Sequence, residues 1–131
     1  MVDLDPALPT ALFDAAYLRE ILDALTVNAL EALDGGGELT LRSKLDTRDG
    51  SQPMAELSIS DTGPGIEANR LSRIFDLFYT SKPSGTGVGL AIAKRIVESQ
   101  GATIGVTSEP GEGTTFAVRI PLRPLSEEDA T

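Results

Sequence analysis

Cysteine and histidine are both absent from the 131 residues of this chain. The first absence excludes disulfides and thiolate metal sites. The second removes the commonest transition-metal ligand and the commonest general base. Any bound metal must therefore be a hard cation held by oxygens, with Mg²⁺ or Ca²⁺ the candidates. Positive charge is also scarce: 11 Lys and Arg stand against 20 Asp and Glu, a formal net charge of −9. A face that tracks nucleic-acid phosphates needs clustered Lys and Arg, so nucleic acid is excluded as a partner. A smaller anion is not, because Arg70, Arg73, Lys82, Lys94 and Arg95 form a local basic group. No apolar run could span a bilayer and no signal peptide opens the chain, so the expected address is the cytoplasm, without direct membrane contact. The length suits one domain with a single core, and 40% hydrophobic with 24% charged residues is an ordinary globular composition.

Glycine, by contrast, is concentrated where it could matter. Gly85, Gly87 and Gly89 alternate through Ser81-Lys-Pro-Ser-Gly-Thr-Gly-Val-Gly-Leu90 and run into a segment whose Val88, Ile92, Ile96 and Val97 have helical spacing. Glycine lets backbone approach a ligand closely, and a helix start carries unpaired N–H groups with partial positive charge. Together they suit an anion, phosphate above all. A dinucleotide fingerprint would need a third glycine where Leu90 stands and a preceding strand; a P-loop would need a closing Gly-Lys-Ser/Thr. Neither pattern is met. A flexible linker is the plain alternative, although linkers seldom lead directly into an amphipathic helix.

The chain in order predicts a short edge-strand fragment and a loop over residues 1–13. A helix follows from an Asp14 N-cap to about Leu33, with Leu18, Ile21, Leu22, Leu25, Ala29, Leu30 and Leu33 on one face. Asp34 and the three glycines after it end that helix, glycine being available for a left-handed cap. Asn28 lies at the edge of the apolar stripe. Its amide oxygen could reach a hard cation, although periodicity alone favours a bond to nearby backbone. Residues 38–46 and 54–60 alternate apolar with polar around an Asp49-Gly50 turn, an antiparallel hairpin with one buried face. It delivers Asp61-Thr-Gly-Pro-Gly-Ile66. That stretch is open to two accounts: turn chemistry with local N–H bonds, or a carboxylate aimed at a donor on a ligand lying against glycine.

A short helix at Glu67–Arg73 then leads to Ile74-Phe-Asp-Leu-Phe-Tyr79. This aromatic patch is expected to anchor one end of the glycine loop and leave the rest to move as a lid. A helix at 88–100, a strand at 102–108, a Pro110-Gly-Glu-Gly113 turn and a strand at Thr114–Pro121 complete the domain, assigned to residues 1–122. Residues 123–131 read as a polar, disordered tail. The order of elements predicts an α/β fold: a two-layer α/β sandwich with a mixed, mostly antiparallel sheet and helices on one face.

Four separated stretches resemble one family. Asn28-Ala-Leu-Glu-Ala-Leu33 is similar to the N box of the ATP-binding catalytic domain of bacterial sensor histidine kinases, and Asp61-Thr-Gly-Pro-Gly-Ile66 to its first glycine box. Ile74-Phe-Asp-Leu-Phe78 is similar to the F box and Gly85-Thr-Gly-Val-Gly-Leu90 to the second glycine box, while Pro110-Gly-Glu-Gly-Thr-Thr-Phe116 is similar to the closing hairpin. These motifs span nearly the whole chain in the family's order. The Tyr79-Thr-Ser-Lys-Pro83 lead-in most resembles the nitrogen-regulator type. The resemblance implies a Bergerat-type ATP-binding fold taking ATP and Mg²⁺. In it Asp61 would accept the adenine amino hydrogen bond and Asn28 would hold Mg²⁺ and serve catalysis together with Lys82. Gly85, Thr86, Gly87, Val88, Gly89, Leu90 and Lys82 would hold the phosphates. Gly63, Gly65, Ile66, Thr114 and Thr115, with Ile92, would surround the base.

It also implies transfer of the γ-phosphoryl group to a histidine. This chain has none, so the acceptor must be a helical dimerisation and phosphoacceptor domain outside it, with a response regulator downstream. The start at Met1 suggests the missing front of a longer kinase, which could be membrane-anchored. Three departures stand out. Ala24 occupies the position four residues before Asn28 where hydrolysing members carry Glu and kinases commonly Asn, which predicts negligible intrinsic hydrolysis. Glu31 and Ala32 replace a common Lys and Tyr, and Val88 a common Leu. A degenerate regulatory module holding ATP without transfer, or a serine kinase of the anti-sigma-factor kind, are the alternatives.

Overall fold

The computed structural model describes residues 2–3, 15–34, 36–46, 53–77 and 89–121. Among them are β1 (Val2–Asp3), α1 (Ala15–Leu33), β2 (Leu39–Asp46), β3 (Met54–Asp61), α2 (Ala68–Leu71), α3 (Gly89–Ser99), β4 (Thr103–Glu109) and β5 (Gly113–Pro121). The strands form one sheet in the order β1-β2-β3-β5-β4. β1 runs parallel to β2, with Val2 opposite Leu41, and every other pair is antiparallel. This is the α/β arrangement that the order of elements predicts.

Period-two alternation decides which face the helices cover. Ala55 and Ile59 of β3 and Phe116, Val118 and Ile120 of β5 are buried, and they pack with Ile21, Leu25 and Ala29 of α1 and Val97 of α3. Phe116 is fully enclosed, and the Phe75 ring meets it edge-on at 6.1 Å and 83°. Such a pair adds about 0.5–1.5 kcal/mol beyond its buried area. The opposite face of the sheet is polar. There Glu56 lies between Lys44 and Arg119, each at 3.8 Å, in one row across three strands.

Several expectations are corrected. Leu30 is 55% exposed and does not belong to the core stripe. Five residues beyond Leu25 it has turned roughly 140° around the helix, off the buried side. The left-handed residue ending α1 is Asp34 (φ 44), not a glycine. Aspartate tolerates that region better than most residues. The helix expected over Glu67–Arg73 contracts to a single turn with no buried residue, capped by Glu67 without a side-chain bond. Three-residue turns follow, Arg73 N–H to Arg70 O and Asp76 N–H to Arg73 O, both at 2.9 Å, and they swing Ile74 and Phe75 into the core. Asp14, Phe78, Tyr79, the glycine loop before Gly89 and the expected tail lie outside the described residues. No helix among the described residues is long and apolar enough to cross a membrane.

Candidate functional site

The core-facing row of the sheet changes character at one end. Ile59, Phe116 and Val106 sit side by side across β3, β5 and β4, and one step further the same row reads Asp61, Thr114 and Ser108. Asp61 and Thr114 are each only 5% exposed. A carboxylate in that position is costly unless hydrogen bonds reach it. Its Oδ1 accepts the Gly63 N–H at 2.9 Å, so the local turn account of this residue holds for one oxygen.

The loop after Asp61 is clamped from two sides. On the hairpin side, Ile66 N–H donates to Ser108 Oγ at 2.8 Å and Gly111 N–H to Pro64 O at 2.7 Å. Gly65 has φ +77, and a Cβ there would run into the carbonyl of Glu109; Gly113 has φ +92, and a Cβ would run into the carbonyl of Asp61. Both positions need glycine for conformation and for space. On the helix side, a Cβ on Gly63 would lie 2.9 Å from the Ala32 carbonyl oxygen of α1. Thr62 closes the loop onto the approach to β2, accepting from Glu38 N–H at 2.9 Å and donating its own N–H to Glu38 O at 3.1 Å.

Ala24, Asn28 and Ala32 follow one another at four-residue spacing and so share a strip of α1. That strip ends where Ala32 abuts Gly63, which brings the half-buried Asn28 to the side of the helix that leads to the Asp61 loop. Asp61, Gly63, Gly65, Ile66 and Thr114 thus gather at one end of the two layers, and Asn28 stands one helical turn before Ala32 on α1. Thr115 is not among them. Strand alternation turns it to the polar face, where its hydroxyl bonds that of Ser60 at 2.8 Å, so the adenine-side expectation passes to Thr114 alone. Gly89 and Leu90 begin α3; a Cβ on Gly89 would meet no described atom. Ile92, expected as a wall, is 40% exposed. Lys94 of α3 lies 5.5 Å over the Phe75 ring, which ties the start of the aromatic patch to that helix. Lys82, Gly85, Thr86, Gly87 and Val88 lie outside the described residues.

Sequence reading passed over Ser108. The available signal was a hydroxyl at a core-facing position, two residues after Val106 in an alternating strand.

With this geometry in view, the chain belongs to the family described as histidine kinase-, DNA gyrase B- and HSP90-like ATPases, whose model matches residues 13–124. Among its relatives is the signal transduction histidine-protein kinase AtoS of Escherichia coli strain K12. It is 35% identical over 126 residues, which cover 96% of this chain and 20% of that protein. The sensory histidine kinase/phosphatase NtrB of Rhodobacter capsulatus is 37% identical over 130 residues, covering 93% of this chain and 36% of that one. Full-length ShkA, solved in complex with AMPPNP, superimposes with a TM-score of 0.79 at 32% identity, over 95% of this chain and 26% of that chain. The chain therefore spans about a fifth to a third of the length of these curated relatives.

Proposed function

We propose that this chain is the nucleotide-binding half of a protein-histidine kinase: it binds ATP with Mg²⁺ and passes the γ-phosphoryl group to a histidine on a helical domain outside it. The observation that carries the reading is the buried Asp61, set in a polar row at the end of a mostly apolar face, in a chain of this family. One of its oxygens is engaged by Gly63. A carboxylate held this way recognises a ligand donor, and the adenine amino group supplies one where a guanine carbonyl cannot. Gly63, Gly65 and Ile66 hold that carboxylate's loop in place.

The residues present also suit Mg²⁺. Among the described residues there is no group of three His, Cys, Asp or Glu side chains that could cage a metal. Mg²⁺ is commonly held by one or two protein oxygens, with phosphates and water completing its shell, and Asn28 offers such an oxygen. When bound, the ion neutralises phosphate charge. Gly89 and Leu90 present the first N–H groups of α3 to the phosphate tail, with Lys82, Gly85, Thr86, Gly87 and Val88 before them in the chain. Phosphoryl transfer asks chiefly for positioning and charge neutralisation, so the lack of a histidine base is no obstacle. Working in the cytoplasm, the phosphorylated domain would hand its phosphoryl group to a response regulator.

The test is incubation of the chain with MgATP and a purified helical histidine domain from the same reading frame. Acid-labile phosphohistidine on that domain is the expected product. Binding of ATP with no transfer, or phosphoserine on a partner, would refute it.

A further inference from the structure

The two margins of the sheet are finished differently. At one, the two-residue β1 covers Leu41 and Arg42 of β2, and the exposed Arg42 and Lys44 stud that strand. At the other lies β4, which pairs with β5 one for one, from Thr103 opposite Arg119 to Glu109 opposite Gly113, with no bulge. Among the described residues no hydrogen bond reaches its far side. Edge strands are ordinarily blunted by lysine, proline, bulges or brevity. Thr103-Ile-Gly-Val-Thr-Ser-Glu109 has none of these, and its one charge sits at the end. The side chains agree. Val118 and Phe116 of β5, with a strand on each side, are fully enclosed, whereas Ile104 and Val106, directly opposite them on β4, stay half-buried. A strand laid against β4 would enclose them too.

We infer that β4 is a strand-addition surface whose occupant is β4 of a second copy of this chain, joining two sheets across a twofold axis. The register follows from symmetry. Facing residues of an antiparallel pair share a side of the sheet, so the axis must pass through a residue, and Val106 is the one that pairs all seven residues of β4. Val106 then faces its own copy, Ile104 faces Ser108, Gly105 faces Thr107 and Thr103 faces Glu109. The apolar side chains meet on the helix side, and no two like charges are opposed. β4 is thus complementary to itself, which is what a closed dimer requires. Seven residues a side is small beside the roughly 20–30 of a standard interface, and each copy carries a net charge of −9. The association is therefore weak, and it tightens as salt screens the repulsion. This contact does not depend on the nucleotide reading.

The test is sedimentation equilibrium of the whole chain over rising concentration, at low and at high salt. A monomer–dimer equilibrium is expected, stronger at high salt, with β4 amides slower in hydrogen exchange as concentration rises. Charge at residue 103 reads the register. Thr103 is exposed, and the twofold axis sets it against Glu109 of the second copy at both ends of the strand pair. Thr103→Lys should therefore tighten association and Thr103→Glu loosen it, each by about two- to thirtyfold, the equilibrium equivalent of two cross-strand charge pairs. Val27→Lys and Val27→Glu bring the same charges to the exposed side of α1 and should change it far less. A monomer at every concentration and salt overturns the proposal. So does a dimer that answers to residue 27 as it does to residue 103.

Discussion

Replacing Gly113 by alanine should be among the most damaging small changes in this domain, and its cost can be assembled from its surroundings. The backbone there has φ +92, and the added methyl would occupy the place of the Asp61 carbonyl oxygen, a backbone atom in the neighbouring strand. The left-handed conformation alone costs an L-residue about 1–2 kcal/mol. Forcing β3 and β5 apart at the Asp61–Thr114 pair adds an overpacking term of about 1–3 kcal/mol, so the expected loss is roughly 2–5 kcal/mol. That is a large part of the total stability of a typical domain, about 5–15 kcal/mol. Gly65→Ala should behave alike, since its methyl would strike the Glu109 carbonyl. Gly111→Ala is the control: φ is +82, but no atom of the described residues lies within 4 Å, so only the conformational cost of about 1–2 kcal/mol applies. Gly36 has neither a positive φ nor a neighbour within 4 Å among the described residues. There alanine should be neutral or stabilise by about 0.4–1 kcal/mol through the unfolded chain. Urea unfolding curves with a common slope measure the series. If Gly113→Ala costs no more than Gly111→Ala, the close approach of the hairpin to Asp61 is wrong, and the clamp around the site with it.

Asp61→Asn should weaken ATP binding by about 1.5–3 kcal/mol, the scale of a hydrogen bond to a charged group, because an amide nitrogen would face the adenine amino group. The melting temperature should hardly move, since the amide oxygen can still accept from Gly63; unchanged calorimetric affinity would count against the site. With Ala24 one turn before Asn28, steady-state ATP hydrolysis by the isolated chain should be negligible, and turnover comparable to a gyrase-type ATPase, read by phosphate release, would contradict the role given to that position. Asp34→Gly should stabilise the fold by about 1 kcal/mol, by relieving a left-handed non-glycine residue and removing a negative charge from the C-terminal end of α1. A thermal melt showing no gain would mean that Asp34 has a compensating partner.

Much of this architecture can be read from residue order because periodicity is a local signal. Alternation in β2 and β3 and the 3.6-residue stripe of α1 fix which faces are buried, and the four motifs name the family. The errors arise where local pattern yields to three-dimensional placement. Leu30 is as apolar as its neighbours but points the wrong way. The segment after Glu67 has a helical pattern, yet Ile74 and Phe75 gain more from the core than further helical turns would return. Thr114 and Thr115 are chemically identical and adjacent, and only strand pairing distinguishes the one that shares a face with Asp61. Ser108 was missed because its role lies in contacts with Ile66, Gly113 and Thr114, none of which local spacing reveals.

The bond from Ile66 to Ser108 joins positions 42 residues apart, and the loop it holds is gripped between α1 and the last hairpin. No early or late fragment of the polypeptide contains both jaws. A partly folded form with only one of them would be blind to nucleotide, so bound ligand should oppose every opening that releases either jaw and leave fraying elsewhere untouched. In hydrogen exchange, the Ile66 and Gly111 amides should then slow as nucleotide is added.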